Sequence, residues 1–397
     1  MKYIVIVPDG AADYPHPSLD GKTPLEVAEL KNMHSLASTG VVGRVRTVPR
    51  GFKPSSDVAN LSILGYNPQL YYTGRGPLEA ANMGVELAEK DVAFRCNLIT
   101  EVDGKLFDYS AGHISTKESK ILLEYLDTQL GDEEIKFYPG VSYRHLMVVK
   151  NGVDKGLDKL KCSAPHDIVS KPLKKHYPLG KNAKFIVDLM ERSRNILSKH
   201  EINSVRVDLK ENPANMIWLW GQGVKPKMDS FESKFGLKGA VISAVDLIKG
   251  IGRCLGLEVL EVEGATGYYE TNYKGKALKA LEALERVDFV FVHIEATDEA
   301  GHNKDLRMKI TCLERIDKLV LGTILEKVNL DNTRIMVVPD HFTPVSLGTH
   351  SSEPVPFLAA GAGIPKSFSP VFSEKEASQS SLFFDDASRL MEYLISK

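Results

Sequence analysis

The chain has 397 residues, 43% of them hydrophobic, so it can bury a large core and is long enough for two domains or for one domain with a substantial insertion. Its 50 Lys and Arg against 52 Asp and Glu leave a net charge of −2, which excludes any electrostatic case for nucleic acid or an anionic membrane as partner. The four cysteines, Cys96, Cys162, Cys254 and Cys312, lie far apart with no CxxC pair, which argues against a zinc ribbon or a disulfide framework and fits a reducing cytoplasm.

The chain opens on YIVIV, Tyr3 to Val7. This run is too short for a signal-peptide core or a membrane span, no later segment is long enough either, and it reads as a strand in a cytoplasmic protein. Next comes KPSSDVANLSILGYNP, Lys53 to Pro68, whose apolar residues Val58, Leu61 and Leu64 predict a helix. Ser and Asp at its start are N-cap types, whose oxygens can satisfy free N–H groups of the first turn. A hydroxyl at the positive end of a helix is also a good place to hold an anion, either an alkoxide or the phosphate formed on it.

The middle third reads as a mixed α+β module inserted into a core. It holds the strand-like VAFRCNLITEVDGKLFDYS (Val92 to Ser110), the helical KESKILLEYLDTQL (Lys117 to Leu130) and VSYRHLMVVKNG (Val141 to Gly152). The joins are placed near Met83 and Phe235, giving a core of residues 1–83 and 235–397 and an insertion of residues 84–234. MIWLW (Met216 to Trp220), GAVIS (Gly239 to Ser243), DFVFVHI (Asp288 to Ile294) and RIMVV (Arg334 to Val338) are unbroken apolar runs of the kind found in parallel strands buried on both faces. Helical patterns start at Ala244, Gly275 and Arg307. The alternation predicts an α/β core with a mainly parallel sheet flanked by helices.

Three core strands end in the same kind of residue: IVIVPDG delivers Asp9, FVFVHIEATDEAGH delivers Asp298 with His302, and IMVVPDH delivers Asp340 with His341. Ligands of open parallel sheets bind beyond the carboxyl ends of the strands, so these side chains can meet in one crevice. His350, in LGTHSSEPVPF, is close enough to Asp340 to return to the same edge. Carboxylates and imidazoles suit Mn²⁺ and Zn²⁺, and three Asp with three His suffice for two ions. With a serine at a helix N-terminus, the set fits two-metal phosphoryl transfer.

At these residues the sequence resembles the cofactor-independent phosphoglycerate mutases of archaeal type, within the alkaline phosphatase superfamily. The resemblance covers nearly the whole chain and is carried by VPDGAADYP, SSDVANLSILGYNP, YTGRGPLEAANMG, DEAGH, PDHFTPV and HSSEPVPF. It implies an alkaline-phosphatase-like core and two divalent ions, with Mn²⁺ first and Zn²⁺, Mg²⁺ or Co²⁺ as alternatives. One ion would be held by Asp9, Ser56, Asp340 and His341, the other by Asp298, His302 and His350. Ser56, just before Asp57, holds the nucleophile's place. Two positions depart from the family pattern: Ser55, where glycine is frequent, and His113 in SAGHIST, where arginine is frequent.

The resemblance implies that 3-phosphoglycerate binds between core and module and that Ser56 attacks phosphorus to give phosphoserine and glycerate. Glycerate turns over and takes the phosphoryl group back on its 2-hydroxyl, without 2,3-bisphosphoglycerate, an interconversion that belongs to glycolysis and gluconeogenesis. A module that closes over the site would exclude water and retain glycerate. Substrate-binding candidates are His113, Arg144, His145, His166 and Lys249. The expected partner is a small phosphorylated substrate, not nucleic acid or membrane, and an oligomer is compatible with the sequence. The rivals are a phosphotransferase on another hydroxylated acceptor such as homoserine, a metallo-phosphatase, and a non-catalytic metal-dependent binding protein. The first needs a nucleotide donor, yet no GxxxxGK[ST] loop is present.

Overall fold

The structure, a computed structural model, describes residues 1–367 and 369–396. It divides into two compact units, Met1–Tyr72 with Met228–Lys397, and Thr73–Lys227. No helix among the described residues is long and apolar enough to cross a membrane.

The first unit is built on an eight-stranded sheet. Its middle is made of Thr333–Val337, Lys2–Pro8, Phe289–Ile294 and Gly239–Ile242, all parallel, with Val5 opposite both Met336 and Phe291. Val355–Gly361 is the exception, antiparallel to Thr333–Val337 and to Val41–Val45. The strands are apolar without alternation because both faces are covered. Ile4, Ile6, Val290, Val292, Ile335 and Val337 point into one layer with Met33, Leu36, Ala277, Ala280, Leu313 and Ile316 from helices Lys31–Thr39, Tyr273–Leu284 and the long helical run from Leu306. Helix Asp246–Cys254 lies on the other face, where a Cβ on Gly252 would come within 2.3 Å of the Val241 side chain, so only glycine permits this approach.

The run from Leu306 is not one regular helix, since Ile316–Gly322 is a π-helix. It carries Asp317, whose carboxylate accepts the backbone N–H groups of Asn32 (3.1 Å) and Met33 (2.7 Å). Helix Lys31–Thr39 has no cap from its own N-cap residue, Leu30, so the π turn supplies one from a distant segment.

The second unit has a five-stranded antiparallel sheet centred on Val92–Val102, with Arg144–Val149 on one side and Met216–Gly223 on the other. The apolar run MIWLW is therefore an antiparallel strand, not a parallel one as its composition suggested. Both its faces are covered within this unit, which gives it the same unbroken hydrophobicity. Helices Thr116–Leu130 and Ala183–Leu197 pack with Phe94, Cys96 and Leu98. Helix Arg75–Asn82 packs through Ala80 on Ala93, Leu146 and Val148. A Cβ on Gly76 would lie 2.3 Å from the Ala93 carbonyl oxygen, so the helix is pressed onto the strands and belongs to this unit. The units therefore divide at Tyr72/Thr73 and Lys227/Met228, whereas the sequence reading put the joins near Met83 and Phe235. That tight packing is what no local pattern around Thr73–Met83 displays.

Candidate active site

The parallel strands Thr333–Val337, Lys2–Pro8 and Phe289–Ile294 are neighbours in the sheet. Their carboxyl ends therefore lie side by side, and Asp9, the helix Ala296–His302 and the segment Asp340–His341 follow them directly. Gly10 turns the chain with φ +60°, and a Cβ there would sit 2.5 Å from Asp298 Oδ1 and from Thr343 Oγ1. Only a residue without a side chain lets the three strand ends converge.

All seven residues expected to hold metal lie in this unit, in two adjoining clusters. In the first, Nε2 of His341 is 3.5 Å from Asp9 Oδ1, 3.5 Å from Asp340 Oδ2 and 3.2 Å from Ser56 Oγ. In the second, Nε2 of His302 is 3.2 Å from Asp298 Oδ2, Nε2 of His350 is 3.3 Å from Asp298 Oδ1, and the two Nε2 atoms are 2.9 Å apart. The rings of His341 and His350 join the clusters, with centroids 4.0 Å apart.

The donor atoms fit cations. Nδ1 of His302 lies 3.1 Å from the Gly348 carbonyl and Nδ1 of His350 lies 3.3 Å from that of Pro54. A carbonyl can only accept, so both Nδ1 atoms carry hydrogen and both neutral rings direct the Nε2 lone pair inward. Thr343 donates its hydroxyl to Asp298 and accepts Nδ1–H of His341 at 3.2 Å, giving that ring the same orientation. Two lone-pair nitrogens 2.9 Å apart repel unless a proton or a shared cation lies between them. Both oxygens of the fully buried Asp9 lack a hydrogen-bond partner. Burial holds its carboxyl well above the usual carboxylate range, and Asp340 and Asp298 push it further, so ionisation there calls for a positive counter-charge.

The helix Ser56–Ile63 starts beside this centre. Ser55 occupies the N-cap position, and it makes no side-chain cap hydrogen bond. The capping expectation is thus corrected: Ser56 stands one residue inside the helix with Oγ turned to His341. Asn60 donates from Nδ2 to the Ser56 carbonyl (2.8 Å) and to Asp340 Oδ2 (2.9 Å), locking the helix start to the strand end. Asp57 accepts the Tyr72 hydroxyl at 2.6 Å.

Without metal, burial lowers the pKa of His302, but the hydrogen bond and charge of Asp298 outweigh it and raise the value to about 9. An ion entering this cluster must displace that proton. Apparent affinity should therefore rise about tenfold per pH unit between about 6.5 and 9. The raised folded-state pKa contributes stability to the metal-free protein that is complete below about pH 6.5 and lost as pH rises through 9. Calorimetry of metal binding in two buffers of different ionisation enthalpy should show about one proton released from this cluster at pH 7.5. No release would contradict the assignment.

The expected substrate-binding residues divide between the units. Lys249 is in the first and pairs with Glu261 at 2.8 Å. His113, Arg144, His145 and His166 are in the second. There Arg95, a lone charge in the apolar run VAFRCNL, is buried against Glu79, which Arg75 also approaches at 3.6 Å. Arg75 and Arg95 lie over the Trp220 ring at 5.7 and 5.4 Å, and Arg144 over Tyr143 at 5.7 Å. Burial first, then the charges of Arg75 and Arg144 against that of Glu79, lower the Arg95 pKa to about 10. Two guanidiniums share the Glu79 carboxylate and the charge of Arg144 acts on Arg95 as well, an excess of positive charge that an anion would relieve. His166 packs edge-on against Trp220 and His113 against Tyr143. His145 is buried, accepts Gly140 N–H at Nδ1, and is driven by burial and by Arg95 to a pKa of about 3, so it stays neutral. The sequence reading missed Arg75, Arg95, Asn60 and Thr343, although Asn60 and Thr343 lie inside the segments SSDVANLSILGYNP and PDHFTPV and Arg75 inside YTGRGPLEAANMG.

Comparison with known proteins shows the family. The family model of 2,3-bisphosphoglycerate-independent phosphoglycerate mutase matches residues 37–203. An enzyme of that name from Methanothrix thermoacetophila is 48% identical over 397 residues, 100% of both chains. A Pyrococcus horikoshii protein of solved structure is 31% identical with a TM-score of 0.86, covering 99% of this chain and 96% of that one. The cofactor-independent phosphoglycerate mutase of Thermoplasma acidophilum is 30% identical with a TM-score of 0.67, covering 100% of this chain and 99% of that one. Identity of this extent along the full length, on the same α/β architecture, makes the chain a member of the 2,3-bisphosphoglycerate-independent phosphoglycerate mutase family.

Proposed function

We propose that the protein interconverts 3-phosphoglycerate and 2-phosphoglycerate through a phosphoserine at Ser56. The observation that carries this reading is the placement of Ser56 Oγ, which caps nothing and faces His341 beside two buried carboxylates. Asp9, Ser56, Asp340 and His341 would hold one divalent ion and Asp298, His302 and His350 a second, with Mn²⁺ our choice for both; bound there, the ions would activate the serine hydroxyl and neutralise charge on the phosphoryl group.

The residues of the chain account for the remaining steps. Ser56 Oγ forms the bond to phosphorus as the ester bond to the substrate's 3-oxygen breaks. The proton that leaves Ser56 is matched by the proton gained at that oxygen. The return transfer to the 2-oxygen reverses both changes, so the isomerisation consumes no donor. Thr343, Gly348 and Pro54 keep the three imidazoles in one tautomer, and Asn60 keeps Ser56 in place. Within the second unit, Arg75 and Arg144 are cationic groups of the kind that suit a carboxylate or a phosphate, with Arg95 held by Glu79 and with His113 and His166 on the same aromatic wall. Their stacking on Trp220 and Tyr143 limits the rotamer freedom lost on binding.

Incubation with 3-phosphoglycerate and Mn²⁺ alone, without ATP or 2,3-bisphosphoglycerate, should yield 2-phosphoglycerate. With labelled phosphate in the substrate and excess unlabelled glycerate, the label should stay on the product. Inorganic phosphate as the main product would establish a phosphatase instead. Inactivity together with ATP-dependent phosphorylation of homoserine would establish a kinase.

A further inference from the structure

The motif VPDGAADYP runs on past Asp9 to a second buried carboxylate, Asp13, which no step of the proposed reaction uses. Its Oδ2 is 2.7 Å from Nζ of Lys309, on the helix Leu306–Arg315, and that lysine side chain is wholly shielded from solvent. All three ammonium hydrogens have an acceptor, since Nζ also lies 2.8 Å from the Thr343 carbonyl and 3.4 Å from that of Ala12. Asp13 in turn accepts the backbone N–H groups of Tyr14 (2.8 Å) and Val345 (3.1 Å), and its own N–H donates to Glu374 at 2.9 Å. Thr343 N–H donates to the Ala12 carbonyl at 3.2 Å. The pair thus ties the chain on both sides of Pro344 to the segment that follows Asp9. The Thr343 carbonyl also meets Gly301, in the helix that carries Asp298 and His302, where a Cβ would lie 2.3 Å from the carbonyl oxygen.

We infer that the Asp13–Lys309 ion pair positions Thr343, and through it the Asp298 carboxylate and the His341 ring; the inference rests on the two-cluster reading of the active site. The Thr343 hydroxyl gives its hydrogen to Asp298, in one cluster, and accepts Nδ1–H of His341, in the other. One oxygen atom therefore aligns both clusters, and it holds that place only while the Thr343 backbone is fixed. A buried ion pair adds little net stability over an apolar pair of the same shape. What it adds here is direction, because a lysine with three defined acceptors and a carboxylate with three defined donors favour one arrangement of the segments they join. An apolar pair would fill the same space but would leave the Val345 N–H without its partner and the Thr343 carbonyl without the lysine. Asp13 and Lys309 touch no reacting atom; they are positioning residues that act through Thr343.

Nitrogen NMR of the His341 imidazole in the metal-free full chain tests this without any turnover. The wild-type protein should hold the Nδ1–H tautomer as the dominant form. Lys309→Met, which keeps the length of the side chain and removes its charge, should leave a mixture of tautomers, as should Thr343→Val, which removes the hydroxyl. Turnover at saturating Mn²⁺ should fall about 10- to 100-fold in each variant, with KM changed less than about threefold. The combined variant should lose no more than about threefold beyond the weaker single one, whereas independent losses would multiply to about 100- to 10,000-fold. Arg334→Met is the control. It removes a buried cation that holds the Ala362 and Leu394 carbonyls at the opposite end of strand Thr333–Val337, so it should lower the melting temperature and leave the tautomer unchanged. A single Nδ1–H form in Lys309→Met, multiplied losses in the combined variant, or the same mixture of tautomers in the control would each overturn the inference. Should Lys309→Met not fold, Asp13→Asn together with Lys309→Met, which leaves no unpaired buried charge, takes its place in the cycle and decides. A wild-type protein that makes no 2-phosphoglycerate from 3-phosphoglycerate and Mn²⁺ would overturn the mutase reading instead, while the tautomers would still decide the role of Lys309.

Discussion

Ser56→Ala is expected to lower turnover by roughly four to six orders of magnitude, the scale seen when a covalent nucleophile is removed. Its effect on stability should stay within about 0.5 kcal/mol, because Ser56 is half-buried and makes no cap hydrogen bond. Ser55→Ala should be mild in both respects, since the Ser55 side chain, although at the N-cap position, satisfies no N–H of the first turn. Turnover must be compared at saturating metal, because Ser56 is also assigned as a ligand. Rate assays alongside thermal melts of both variants separate the outcomes. Equal and small losses of turnover would remove Ser56 as nucleophile.

Stripping the protein of metal should abolish turnover by at least about a thousandfold, as expected when several kcal/mol of charge neutralisation are withdrawn from the transition state. Adding back a divalent ion should restore it. The two clusters should also empty selectively. His302→Ala removes a ligand assigned only to the Asp298 ion, and His341→Ala one assigned only to the Asp9 and Asp340 ion. Anomalous maps of each variant should show one of the two catalytic peaks lost or much weakened, with the other retained. Turnover that survives exhaustive chelation would refute the two-ion mechanism. Loss of both ions from either variant would mean that the clusters are not separate sites.

How far the site was legible follows from how local its signals are. Asp9, Asp298 and Asp340 each stand just after an unbroken apolar run, and such a run can be recognised without knowledge of its partners. The tautomers of His302, His341 and His350 could not be read in this way. They depend on the Gly348 and Pro54 carbonyls and on the Thr343 hydroxyl, which carry no signal of a role in a linear pattern. Arg95 could have been found, because a charge in the middle of an apolar strand is buried at a cost and calls for a partner. Its partner Glu79 is set beside it by a helix seated on the strand through Gly76, and that packing has no local signature.

The amino-acid order alone determined the class of chemistry, the strand ends that carry it and the alternation that builds an α/β core, because burial on two faces and helical periodicity are written within ten or so consecutive residues. Tertiary structure decided the rest. It made MIWLW antiparallel, since a strand's partner is chosen by segments more than a hundred residues away and the same hydrophobic run satisfies either direction. It placed helix Arg75–Asn82 in the second unit through the close approach of two glycines to the Ala93 and Gln222 carbonyls. It also turned Ser56 from a capping residue into one facing His341, because a hydroxyl's partner depends on where its χ1 rotamer points in the folded chain, and no residue near it in sequence specifies that.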